Sequence, residues 1–187
     1  MSKKSKYHFL RIPIVSIAIG ILFFACENKL DTIRKVTYDP KAPNEVIKDF
    51  KMFYTDSGFA KIEIYAAIAE TYAKPEAVTK FKDGIKVNFF TDEGVISSVL
   101  TAKYGEYNMS KMLVFVKDSV RLLNLNSKQQ LETEQLFWNQ KDSSIYTKSN
   151  AIVRSPKGVF YGEGLKTRQD FSTYEFIKPY GNMQMGN

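Results

Sequence analysis

From Phe59 onward nearly every segment of this chain alternates apolar and polar residues and is cut off after about ten residues by a polar turn. A period of two belongs to strands, whose successive side chains point to opposite faces, so this pattern commits the chain to sheet. In FAKIEIYAAIAETY (59–72), Ile62, Ile64, Ala66 and Ile68 share one face and Lys61, Glu63 and Tyr65 the other. The Ala-rich YAAIAETYA competes as helix, but it lacks a cap signal and is bounded by Lys74-Pro75. GIKVNFF (84–90) sets Ile85, Val87 and Phe89 against Lys86 and Asn88. SVLTAKYGEYN, MLVFVKDSVRLLN, LETEQLFWNQ, SSIYTKSNAIVRS, VFYGEGLKT and FSTYEFIKPY follow, separated by turn-like runs such as Asp92-Glu93-Gly94 and Lys141-Asp142-Ser143. Many short strands without a credible long helix predict an all-β sandwich, roll or barrel.

A repeat runs under the strands. At an offset of 31, Tyr107-Asn108 aligns with Trp138-Asn139, Val114 with Ile145, Val120 with Ala151, and Asn139 with Asp170. Each unit reads as strand, polar turn, strand, so the chain is a stack of hairpins that bury their apolar faces on one another. The competing explanation is a plain meander whose regular turns make offsets coincide.

The first 48 residues differ in character. Lys3, Lys4, Lys6 and Arg11 precede an apolar stretch from Ile12 to Ala25, with no acidic residue in the first 25 positions. That is the layout of a secretory signal. Fourteen residues rise about 21 Å as helix, short of the roughly 30 Å hydrocarbon core. Cys26, the chain's only cysteine, follows Ala25 as in a bacterial lipobox, where the cysteine is acylated and becomes the N-terminus; Phe23 and Phe24 depart from the usual residues. An uncleaved anchor is the alternative, and either places the rest outside the cytoplasm. Residues 26–48, polar and carrying Pro40 and Pro43, read as a tether, with a short helical turn expected near Asn44 to Phe50. The expected organisation is therefore a signal or anchor (1–25), a tether (26–48), a β domain (49–180) and a tail (181–187).

Charge excludes one function class. The net +7 includes four cations of the presumed signal, leaving 23 Lys and Arg against 20 acidic residues, interspersed without a basic block. Nothing there tracks a nucleic-acid backbone. His8 is the only histidine, so the mature body has no His base, no Cys nucleophile and no His or Cys metal site. Neither cofactor nor metal is expected.

Several stretches taken in order resemble the LptC family of lipopolysaccharide export. FKMFYTDSGFAKIEIYAAIAETY is similar to its opening strands, and GVISSVLTAKYGEYNMSKMLVFVKDSVRLL to its central hairpin. LETEQLFWNQKDSSIYTKSNAIVRSPKGVFYGEGLKTRQDFSTYEF, with its Gly-Leu-Lys step, is similar to the closing section. The likeness extends over nearly all of residues 47–178. The short apolar run and Cys26 depart from the uncleaved N-terminal helix of the better-known members.

The resemblance implies an open, twisted β-jellyroll built from stacked antiparallel hairpins. Such a domain receives lipopolysaccharide from an inner-membrane ABC transporter and passes it to a matching jellyroll in a periplasmic bridge protein. It further implies a membrane-anchored periplasmic location, no enzymatic activity, and an apolar groove that shields acyl chains at about 0.8 kcal/mol per CH₂. Fourteen Phe and eleven Tyr suit such an interior. Lining candidates are Ile62, Ile64, Ile85, Val87, Phe89, Leu113, Phe115, Val120 and Leu122, which simple core packing explains equally. Terminal strands are expected to pair with partners through unpaired main chain, near Phe53 and Thr55 at one end and Tyr174 and Phe176 at the other. Pro179 is expected to stop the last strand, and Gly162, Gly164 and Gly181 are bends, close-approach points or ordinary turn glycines.

Two other readings stay open. A carbohydrate-active β-sandwich would draw on Glu132, Glu134 and Glu163, although alternating acids usually mark a solvated face. A lipoprotein binding module for another envelope partner would share the fold but not the lipid.

Overall fold

A computed structural model describes residues 39, 41–56 and 58–185, with side chains through Gly181. The chain divides into Met1–Lys41 and Ala42–Asn187, and the fold below is that of the second unit. It comprises β1 (Glu45–Asp56), β2 (Phe59–Tyr72), β3 (Val78–Phe90), β4 (Ile96–Ala102) and β5 (Tyr104–Asn108). β6 (Leu113–Asn124), β7 (Gln129–Asn139), β8 (Ser144–Ser155), β9 (Gly158–Arg168) and β10 (Tyr174–Met185) complete it. Every pairing is antiparallel and the order is β1-β2-β3-β4-β6-β7-β8-β9-β10, with β5 between β3 and β6. The architecture is the predicted all-β jellyroll, one sheet that meanders from β1 to β10.

The repeat of 31 residues is a row of this sheet. Val114 pairs with Trp138 and Trp138 with Ile145, so the aligned residues Val114 and Ile145 stand two strands apart on one row. Val120, Thr133 and Ala151 form a second row in the same way.

Apart from separate register shifts at Tyr54/Thr55 of β1 and Phe89/Phe90 of β3, a row of interruptions runs across the strands from β1 to β9, each facing the next. They fall at Asp49 on β1 (φ 53°), Ala67 on β2, Asp83 and Gly84 on β3 (60° and 109°), and Lys103 between β4 and β5. The row continues through Asp118 and Ser119 on β6 (66° and 57°), Glu134 on β7, Lys148 and Ser149 on β8, and Gly164 on β9 (72°), opposite Ile177 of β10. Asp, Ser and Gly accept left-handed φ more readily than the β-branched residues around them, and bulges bend a strand. Aligned bulges therefore make a seam along which the whole sheet doubles over. Buried Thr133 and Thr147 serve the backbone there: Thr133 Oγ1 donates to the Asn150 carbonyl at 2.8 Å, and Thr147 Oγ1 accepts from the Ser149 N–H at 3.1 Å.

Residues on the two sides of the seam meet across the fold. Phe89 and Trp138 pack edge to face with centroids 5.1 Å apart, and Phe50 lies 5.5 Å from Phe81. Phe81, Leu100, Leu122, Leu131, Ile145 and Leu165 are fully buried around them, each worth about 1.5–3 kcal/mol of apolar transfer.

Three local expectations are corrected. The helical turn expected near Asn44 to Phe50 is strand, since Glu45 through Lys48 pair with β2 and an amphipathic partner outweighs any local helix preference. The single strand expected through TAKYG is broken at Lys103, which bridges the seam by accepting from Gly84 N at 2.9 Å and donating to the Asp118 carbonyl at 3.0 Å. Pro179 does not stop β10 but pairs with Gly162 within it. An edge strand carries its ladder on one side only, which leaves room for a residue without an N–H.

Candidate functional site: the folded interior and its two edges

The inner face of the doubled sheet is apolar. Ile62, Ile64, Ile85, Val87, Phe89, Val120 and Leu122 are all buried there. Leu113 and Phe115 are not with them: they are half-buried and alternate with Val114 and Val116, each 1% exposed. MLVFV is apolar in both phases, so sequence alone cannot say which set points in. Phe115 instead joins an outer ladder with Phe137 and Tyr146, at centroid distances of 4.9 and 5.2 Å.

The lip opposite the seam is closed along part of its length. The loop between β9 and β10 starts and ends on one half-sheet and reaches across to the other: Ser98 Oγ donates to the Gln169 carbonyl at 2.9 Å and Asn124 Nδ2 to that of Asp170 at 2.7 Å. Phe171, fully buried with φ 47°, is driven into the core by this strap. Nearer β1 the lip opens on a cavity of about 350 Å³, walled by Tyr54, Ile62 and Phe90 of one half and by Met112, Trp138 and Gln169 of the other. Neither Trp138 nor Phe171 was legible as a site residue, although Trp138 is the chain's only tryptophan and heads the repeat.

Among the described residues, β1 and β10 are the free edges of the sheet. On β1, Phe53 is 50% exposed and Tyr54 48%, and Thr55 is exposed as well. Lys51 lies over the Phe53 ring at 4.9 Å and the Tyr65 ring at 5.0 Å, and its Nζ reaches Glu63 at 3.2 Å. Burial pushes the Glu63 carboxyl up, but hydrogen bonds from Tyr65, Asn88 and Lys51 outweigh it and hold the group below the ordinary carboxylate range. On β10, Tyr174 and Phe176 are half-buried against the core, their rings 5.7 Å apart and Tyr174 5.8 Å from Phe171. Burial raises the Tyr174 hydroxyl. Among the described side chains of β10, the large apolar ones exposed are Ile177 and Tyr180. Its edge therefore offers main chain flanked by these two, while Tyr174 and Phe176 hold the strand down.

The acids weighed for catalysis are dispersed. Glu132 pairs with Arg154 at 3.3 Å, Glu163 with Lys178 at 3.2 Å, and Glu134 is exposed in the seam. Among the described residues no group of three His, Cys, Asp or Glu could hold a metal ion. Cys26 lies outside the described residues.

A family model described as "Lipopolysaccharide-assembly, LptC-related" matches residues 13–178. No curated protein matches the chain.

Proposed function

The chain belongs to the LptC family of lipopolysaccharide transport proteins of the Gram-negative periplasm, and from that premise we propose that it carries lipopolysaccharide in the interior of its folded sheet. The lipid arrives from an inner-membrane ABC transporter, its acyl chains enter between the half-sheets while the sugars stay wet, and it leaves to the matching jellyroll of a bridge protein. The observation that supports this most is a single apolar sheet folded on itself, with one strand edge at each end of its order that has no partner among the described residues. β1 and β10 can each accept a partner's edge strand, extending one interior into the next without exposing chains to water. The domain is held at the membrane by acylation of Cys26; an intact Met1 to Ala25 segment in the mass of the mature protein would refute that anchor.

Photo-crosslinking in cells tests the path. A photoreactive side chain at Phe90, Phe160 or Phe176, all half-buried, is expected to form lipopolysaccharide adducts, and one at Phe115 or Phe137 on the outer ladder is not. Adducts absent from every inner position would overturn the reading.

A further inference from the structure

Trp138 stands at the tip of β7 with 1% of its surface exposed, and its Nε1 is buried without a hydrogen-bond partner among the described residues. Buried donors are nearly always met, so an orphaned one asks what meets it when the protein works. The indole lines the 350 Å³ cavity at the open part of the lip, which has room for roughly a dozen water volumes at about 30 Å³ each. The lining is of mixed polarity: Ile62, Phe90, Met112 and the indole are apolar, whereas Gln140, Ser143 and Gln169 are polar and neutral. Lys61 is already paired with Asp92 at 2.5 Å, and Asp56 also lines the space. The charge around the cavity therefore does not favour a phosphate. What suits a lining of mixed polarity and one buried N–H is a neutral acceptor at the end of a hydrocarbon chain.

We propose that this cavity holds the junction between acyl chain and headgroup of a lipid, with Trp138 Nε1 donating to the carbonyl of an ester- or amide-linked chain. The assignment rests on the reading that the interior carries lipopolysaccharide and adds to it a specific contact at the mouth. Tails would run inward past Phe89, which packs on the indole edge to face, and the sugar would face the Lys61–Asp92 pair. The donor then reads the linkage and not the charge.

The full chain is placed in vesicles of ether-linked phosphatidylcholine, whose chains carry no carbonyl. It is titrated with a diacylated glucosamine 1-phosphate and with the ether-linked counterpart of that lipid. Bromine atoms near the head of each chain quench the indole on contact, and Trp138 is the only one present. The wild-type chain is expected to bind the acylated lipid about threefold to tenfold more tightly than the ether, the range a neutral hydrogen bond supplies. Trp138→Phe, followed by calorimetry, is expected to bind the two equally. Equal binding of both lipids by the wild type, or a preference that survives in Trp138→Phe, would overturn the assignment and leave water as the partner of the indole. In either case the wider lipopolysaccharide reading stands so long as both lipids bind and quench. Failure of both to bind would overturn both. Should Trp138→Phe not fold, the wild-type comparison decides alone.

Discussion

At the scale of single residues, Gly162 shows what sequence carries and what it withholds. A Cβ at this position would collide with the Phe176 ring and come within 3.0 Å of the Lys178 carbonyl oxygen. The requirement is set by an aromatic ring fourteen residues away on another strand, and nothing near GEG in the sequence distinguishes it from a turn glycine. Gly162→Ala is expected to cost about 1–3 kcal/mol by overpacking, read as a lower denaturant midpoint, with Phe176→Leu in the same chain recovering part of it. Phase was hidden for a similar reason in Leu113 and Phe115, where both faces of the strand are apolar and only the partner strand selects one. Charged residues add a pH dependence. Hydrogen bonds from Lys82 and Tyr72 lower the Glu70 carboxyl, those from Lys111 and Asn108 lower Glu76, and Glu63 is low despite its burial. Groups whose folded values lie below their unfolded ones stabilise the fold above about pH 4.3, and that contribution fades as pH falls through the folded values. The unfolding midpoint is thus expected to be level from pH 7 to about 5 and to fall below about 4, with a shallower acid limb for Glu63→Gln. A midpoint unchanged down to pH 3 would contradict these assignments.

At the scale of elements, strand identity was legible because alternation is local, and the seam was not. The sequence pattern begins a strand at Gly84, yet β3 extends from Val78 to Phe90 with a bulge at Asp83 and Gly84. Bulge and turn use the same residues, Asp, Ser and Gly, and which one forms depends on whether the next strand over carries a matching irregularity. On β1 the expected Phe53 and Thr55 are exposed, whereas on β10 the sequence did not indicate which side chains the strand shows. Ile177 is 65% exposed on β10, and Tyr174 and Phe176 are tucked under it. Ile177→Lys is therefore expected to leave stability within about 0.5 kcal/mol, as exposed substitutions do, while weakening capture of the bridge jellyroll in a cysteine crosslink between edge strands. Undiminished crosslinking would show that β10 is not the edge used.

At the scale of the whole molecule, the doubling of one sheet explains how a chain without an internal disulfide holds an apolar interior and still leaves two edges unpaired. The seam fixes one side. The opposite lip is fastened by the strap through Ser98, Asn124 and Phe171 near β4 and β6 and is open above Trp138 near β1 to β3. The strap was not foreseeable from sequence because it rests on two carbonyls, at Gln169 and Asp170, held by side chains 71 and 46 residues earlier. In the proposed function a powered transporter delivers lipopolysaccharide to this interior. The most direct measurement places the full chain, with a photoreactive side chain at Phe90, in vesicles carrying the ABC transporter and lipopolysaccharide, and follows adduct formation over time. Adduct that accumulates with ATP and stays at background without it is the predicted result; adduct that never forms, or forms equally without ATP, would contradict the account.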